Sequence, residues 1–69
     1  MTDIDPIKLT LAAARINAGL TQEEVAKKLN ISARQLSKWE RGEIAPKELT
    51  MQGLASFYGV PRESIFMPK

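Results

Sequence analysis

Two helical patterns in residues 19–42 are separated by only three residues, and that spacing limits the fold more than any other feature of the chain. The segment reads GLTQEEVAKKLNISARQLSKWERG. Thr21 and Glu24 form a capping box, in which the hydroxyl and the carboxylate satisfy each other's orphan backbone N–H groups, so a helix starts there. Val25, Ala26 and Leu29 make its inner face. Asn30 tolerates a positive φ and closes the helix without glycine. Ser32 is then free to cap a further helix whose apolar residues, Ala33, Leu36 and Trp39, recur every third position as far as Arg41, and Gly42 stops it. Two helices this short, each with one apolar side, bury it by crossing over one another through a tight turn.

The same start and stop signals punctuate the rest of the chain. Asp5 before Pro6 reads as an N-cap followed by proline at the first helical position. Ile7, Leu11, Ala14 and Ala18 follow at helical spacing, and Gly19 stops that helix with Leu20 folding back onto the core. Beyond GEIAP, a fourth helix is expected from about Pro46 or Lys47 to Tyr58, with Leu49, Leu54, Phe57 and Tyr58 on its buried side and Gly59 at its end. Gly53 falls inside it at a cost of about 1 kcal/mol relative to alanine, which implies close helix packing or a locally weak helix. A last short helix over residues 61–66 would close the bottom of the core with Ile65 and Phe66. No segment alternates at period two. The expectation is an all-α protein: residues 1–69 form one domain, a compact bundle of four to five short helices with a helix-turn-helix at about 21–42. A chain of 69 residues hides only about 60% of its unfolded surface, so its stability margin is thin.

Composition removes most chemistry. With no Cys and no His, the chain lacks disulfides, thiolate nucleophiles, imidazole bases and the usual transition-metal ligands, and no metal or cofactor is expected. Glu23 and Glu24 are explained by the capping box and the helix dipole. Glu40 and Glu43 flank Gly42 with no nucleophile to join, and Gly19, Gly42, Gly53 and Gly59 are dispersed stops, not a phosphate loop. Nothing here builds an enzyme or a small-molecule substrate site. The opening MTDIDPIKLT is acidic and polar where a signal peptide would be basic and then apolar, and no run approaches the ~20 apolar residues of a membrane span. A soluble cytoplasmic protein is the expectation.

The net charge of +2 is too small to indicate a partner, and its distribution says more. Residues 1–26 set Lys8 and Arg15 against Asp3, Asp5, Glu23 and Glu24, for −2. Residues 27–47 set Lys27, Lys28, Arg34, Lys38, Arg41 and Lys47 against Glu40 and Glu43, for +4. The remainder balances. Positive charge is therefore concentrated in the middle third, on the second short helix of the pair and its flanks.

Gln22, Val25, Ala26, Leu29, Asn30, Ile31, Leu36, Trp39, Glu40 and Gly42 carry a specific resemblance. The segment is similar to the helix-turn-helix of the lambda-repressor-like and Cro-like DNA-binding domains, the XRE family of regulators. LAAARINAG resembles that family's first helix and LASFYGVPRESIF its last two, so the likeness covers roughly residues 11–66. The chain departs from the pattern at Asn30, where glycine is usual, at Pro61, where a serine cap is frequent, and at Gly53 inside the fourth helix.

The resemblance implies a small sequence-specific transcriptional regulator, most like a phage or prophage repressor, with residues 32–41 in the major groove. It places Ala33, Arg34, Ser37 and Lys38 on base edges. Arg34 could form a bidentate pair with guanine O6 and N7, worth about 1–3 kcal/mol of discrimination, and the Ala33 methyl could touch a thymine methyl. Gln22, Ser32, Arg41 and, more weakly, Lys47 are assigned to backbone phosphates, which fix register without reading sequence. Lys27 and Lys28 sit on a solvated side, and Trp39 belongs to the core. Arg15 and Glu40 are expected to form an ion pair bridging helices, and losing one partner of a buried pair costs about 3–5 kcal/mol. One recognition helix covers a half-site, so a homodimer on a palindromic operator is expected. Phe57, Tyr58, Ile65, Phe66 and Met67 could supply its interface or could equally be core. The alternative reading keeps the fold but makes protein binding the main task, as in an antitoxin or anti-repressor; acidic or apolar residues in place of Arg34 and Lys38 would have favoured it.

Overall fold

In the computed structural model, which describes residues 9–66, four α-helices are followed by a single 3-10 turn: α1 Leu11–Asn17, α2 Gln22–Leu29, α3 Ala33–Glu40, α4 Glu48–Tyr58 and the turn Arg62–Ser64. The starts of α1, α2 and α3 are fixed by side-chain caps. Thr10 Oγ1 accepts from the Ala13 N–H at 3.1 Å, and Ser32 Oγ from the Gln35 N–H at 3.0 Å. Both halves of the box at α2 form, the Thr21 N–H donating to Glu24 Oε1 at 2.8 Å and the Glu24 N–H to Thr21 Oγ1 at 3.1 Å. α4 starts after Lys47 with no side-chain cap.

All four helices end alike, with a left-handed residue (Gly19, Asn30, Gly42, Gly59) and a backbone bond that reaches back five residues. These bonds run from Leu20 to Arg15, Ile31 to Ala26, Glu43 to Lys38 and Val60 to Ala55, at 3.0–3.2 Å. At three of the ends the residue that follows is apolar and folds against the core: Leu20, Ile31 and Val60. At the fourth it is Glu43, which stays exposed.

The core is shared by all four helices and by the residue that follows the 3-10 turn. Leu11 and Ala14 of α1, Val25 of α2, Leu36 of α3, Met51, Leu54, Ala55 and Tyr58 of α4, and Ile65 after the turn form one buried cluster. Leu9, Leu29 and Trp39 pack against it partly buried. α2 lies on α3, α1 touches both α3 and α4, and the 3-10 turn docks on α4. The two ends of the described chain meet in an isolated parallel bridge: the Leu9 N–H donates to the Ser64 carbonyl at 2.6 Å and the Phe66 N–H to the Leu9 carbonyl at 3.0 Å. No described helix is long and apolar enough to cross a membrane.

Several expectations are corrected. The first helix starts at Leu11 under the Thr10 cap, five residues later than an Asp5 cap with Pro6 at the first position would put it; Asp5, Pro6 and Ile7 lie outside the described residues. Ala18 is exposed. On α4 the buried stripe is Met51, Leu54, Ala55 and Tyr58, whereas Leu49 is 79% exposed and Phe57 turns largely outward. Gly53 packs closely against nothing: a Cβ built there meets no atom within 4 Å. The segment after Pro61 makes only the 3-10 turn, and of its two apolar residues Ile65 is buried while Phe66 is exposed.

Candidate nucleic-acid interface

α3 has two faces because residues advance about 100° per position. Leu36 and Trp39 fall on one side, with Glu40 at its edge next to Ala33, and Leu36 is completely buried. Ala33, Arg34, Ser37, Lys38 and the following Arg41 fall within an arc of about 140° on the other side. Arg34 is exposed on that arc, and Ala33, Ser37 and Lys38 are half-buried beside it. The four residues assigned to base edges thus share one solvent-facing surface.

The inner side of α3 is held by a polar clamp as well as by packing. Glu40 accepts from Arg15 Nε through Oε2 at 2.7 Å and from Arg15 Nη2 through Oε1 at 3.2 Å. Arg15 Nη1 also donates to the Leu20 carbonyl at 3.0 Å, and Gln22 Nε2 donates to Glu40 Oε1 at 2.9 Å. The ion-paired side chains are 13% and 6% exposed, so their charges cancel where water screens little. The hydrogen bond to Glu40 outweighs the desolvation of Arg15 and raises its pKa further. One carboxylate therefore ties the end of α3 to α1 and to the first residue of α2. Gln22, assigned to phosphate, spends one amide N–H on this clamp; a primary amide has a second, and its backbone N–H stands at the helix start.

The outer flank has its own pair. Arg41 Nη1 donates to Ser37 Oγ at 2.7 Å and Arg41 Nε donates to Glu43 Oε2 at 2.7 Å, both on the surface. The Arg41 hydrogen bond, followed by the charges of Arg41, Lys38 and Arg34, holds the Glu43 carboxyl below its ordinary value despite some desolvation. Ser32 Oγ is used as the α3 cap, and Lys47 is exposed at the start of α4, away from the outer arc of α3 in sequence but joined to it by the loop 41–47. No cluster of His, Cys, Asp or Glu able to hold a metal occurs among the described residues.

A buried clamp thus stands behind α3 and a cationic surface in front of it. The model of the helix-turn-helix family matches residues 11–65. The chain belongs to that family. Within it, the chain is the XRE and Cro-like kind that the motif residues indicated, and the match runs from the first residue of α1 to the end of the buried core at Ile65. A curated relative is the cryptic phage CTXphi transcriptional repressor RstR of Vibrio cholerae, 40% identical over 47 residues. The alignment covers 68% of this chain but 42% of the relative, so the chain spans about two fifths of that repressor's length. No solved structure matches.

Sequence reasoning missed two features of this helix-turn-helix. The first is the bond from Gln22 to Glu40, which has no local signature because the residues are 18 apart. The second is the Arg41–Glu43 pair, which does have one: an arginine and a glutamate two residues apart across a left-handed glycine face the same way.

Proposed function

We propose that the chain is a sequence-specific double-stranded DNA-binding regulator of phage-repressor type that lays α3 in the major groove. The observation that carries the reading is the outward arc of α3, where Arg34 is exposed and flanked by Ala33, Ser37 and Lys38 while Leu36 holds the inner side and the Glu40 clamp holds the edge between them. A reading helix must be rigid to place side chains on base edges, and this one is braced at both ends, by the Ser32 cap and by Glu40. Arg34 is the base reader with the greatest discriminating power, because a guanidinium can donate both of its bonds to guanine. Lys38, Ser37 and Ala33 complete the reading set. Ser32, Arg41, Lys47 and the Gln22 N–H groups bind phosphates and set register. The relative named above, a transcriptional repressor, supports the regulatory part of the reading.

One α3 contacts one half-site, so the functional unit on DNA is a homodimer over a palindrome. The test is selection of bound duplexes from a random pool, followed by Arg34→Ala on the recovered sequence. The reading requires a palindrome with a guanine in each half-site, and loss of about 1–3 kcal/mol of discrimination at that base in the variant. Uniform weakening across all sequences would move Arg34 to the phosphate set, and failure to enrich any sequence would reject the function.

A further inference from the structure

The loop that follows α3 sets a carboxylate beside the surface that the proposed function turns toward DNA. Among residues 27–47 there are two acidic side chains, and Glu40 is buried in its pair with Arg15. Glu43 is 50% exposed, and it lies against the outer arc of the reading helix. It occupies the position where the other three helix ends place an apolar residue on the core, so packing does not require it there. Its partner Arg41 is 56% exposed and is held from the other side by Ser37.

A guanidinium binds a carboxylate and a phosphate with the same fork of donors. Arg41 Nε, bonded to Glu43 at 2.7 Å, is therefore occupied by an internal anion of the same kind as the one it would meet on a DNA backbone. A phosphate that approaches this face meets a guanidinium whose Nε is already taken and a carboxylate beside it, well inside the ~10 Å screening length of 0.1 M salt, and it gains the full fork of donors only by displacing Glu43. We propose that Glu43 acts as an internal competitor for phosphate, occupying Arg41 in the free protein and lowering the affinity of the chain for every duplex by the same factor. The inference rests on the DNA-binding reading given above and assigns a residue that sets affinity without reading sequence. In a chain whose local charge is only +4, cancelling one arginine reduces indiscriminate attachment to DNA and leaves base readout as the larger share of binding.

The experiment compares the full chain, Glu43→Gln, Arg41→Gln and the double variant on two duplexes of equal length: the sequence recovered by selection and a scrambled one. Dissociation constants are measured from about 50 to about 300 mM salt. Release of one arginine for one phosphate steepens the slope of log affinity against log salt by up to about 0.9, so Glu43→Gln should bind both duplexes roughly 3- to 10-fold more tightly near 0.1 M salt. The gain should be the same for both, because phosphate contacts carry no sequence information. In the Arg41→Gln background it should fall below about twofold. Equal affinity and slope for wild type and Glu43→Gln would overturn the inference while leaving DNA binding intact. So would a loss confined to the selected duplex, which would make Glu43 a base reader, or a gain that persists undiminished without Arg41. If neither protein binds any duplex, the proposed function fails and this inference with it. Glu43 and Arg41 lie outside the core cluster, and matching thermal midpoints confirm that the variants stay folded.

Discussion

Tyr58 is the residue where burial and chemistry conflict most. Its ring belongs to the core at 6% exposure and packs tilted against Phe57 at 5.9 Å, yet its hydroxyl has no hydrogen-bond partner among the described residues. A buried, unpaired hydroxyl costs about 1–3 kcal/mol, so the phenol contributes by its ring and not by its oxygen. Burial first, and the negative charge of Glu40 second, push its pKa from 10 to about 12, with Arg15 opposing. The folded protein thus keeps the phenolic proton at pH values where the unfolded chain has released it. The resulting stability is fully present below pH 10 and is lost as the pH rises from 10 toward 12. Tyr58→Phe should melt at or above the wild-type temperature at pH 7, by up to about 1 kcal/mol in stability, and should lack this alkaline phase. Thermal melts of both proteins between pH 8 and 12 check it, and because Tyr58 is the sole tyrosine, phenolate absorbance reports its ionisation without ambiguity. An identical alkaline decline in both proteins would show that the hydroxyl is solvated in the native state.

At the level of single elements, the parts legible in the sequence were those decided by adjacent residues. The Thr21–Glu24 box, the Ser32 cap, the left-handed Asn30 and the stop at Gly59 depend on local hydrogen bonds, and all four form where their residue types put them. The first helix and the fourth were misread for a different reason. Asp5 and Pro6 offer an N-cap pattern, but Thr10 offers another directly before LAAARIN, and the bridge from Leu9 to Ile65 commits the chain to an extended path just before it. No local pattern foretells a partner 56 positions away. On α4 four apolar residues at near-helical spacing, Leu49, Leu54, Phe57 and Tyr58, compete with the true stripe. Met51, Leu54, Ala55 and Tyr58 follow i, i+3, i+4, i+7, which is one helical face, while Leu49 stands about 200° around the axis from Met51. Gly53 falls on the outer part of that helix, at the edge of a cleft of about 300 Å³ lined also by Leu29, Ile31, Trp39, Thr50 and Leu54. Neither a close approach nor a positive φ requires glycine there. Gly53→Ala should therefore stabilise the protein by about 0.5–1 kcal/mol through helix propensity and a less flexible unfolded chain. In a domain of this size that raises the thermal midpoint by about 4–8 °C per kcal/mol. A lower midpoint would mean that the cleft closes on Gly53 in solution.

For the whole molecule, the balance of exposed surface bears on how two copies could meet. Of the residues considered for a dimer contact, Tyr58 and Ile65 are in the core and Met67 lies outside the described residues; Phe57 and Phe66 remain at the surface, 38% and 45% exposed. Leu49 is more open than either, and Ile16 and Ile44 are exposed on other elements. These side chains are spread over α1, the loop before α4, α4 and the end of the chain, and such scattered apolar residues are ordinary on a monomer. If two copies bind one duplex as proposed, contact between them links the two binding events, and the second is favoured by the first. Geometry then dictates a spacing. Two α3 helices facing the same side of B-form DNA need half-sites about 34–36 Å apart, one turn of about 10–10.5 base pairs. A duplex carrying two selected half-sites at that separation should load two copies cooperatively, with singly bound species scarce in a mobility-shift titration. Inserting about 5 base pairs turns the second half-site to the opposite face and should return binding to two independent events. If cooperativity survives that half-turn, the copies communicate through something other than a contact between them on one face of the duplex. If it is absent at both spacings, each copy acts alone and a single α3 supplies all the sequence discrimination the protein has.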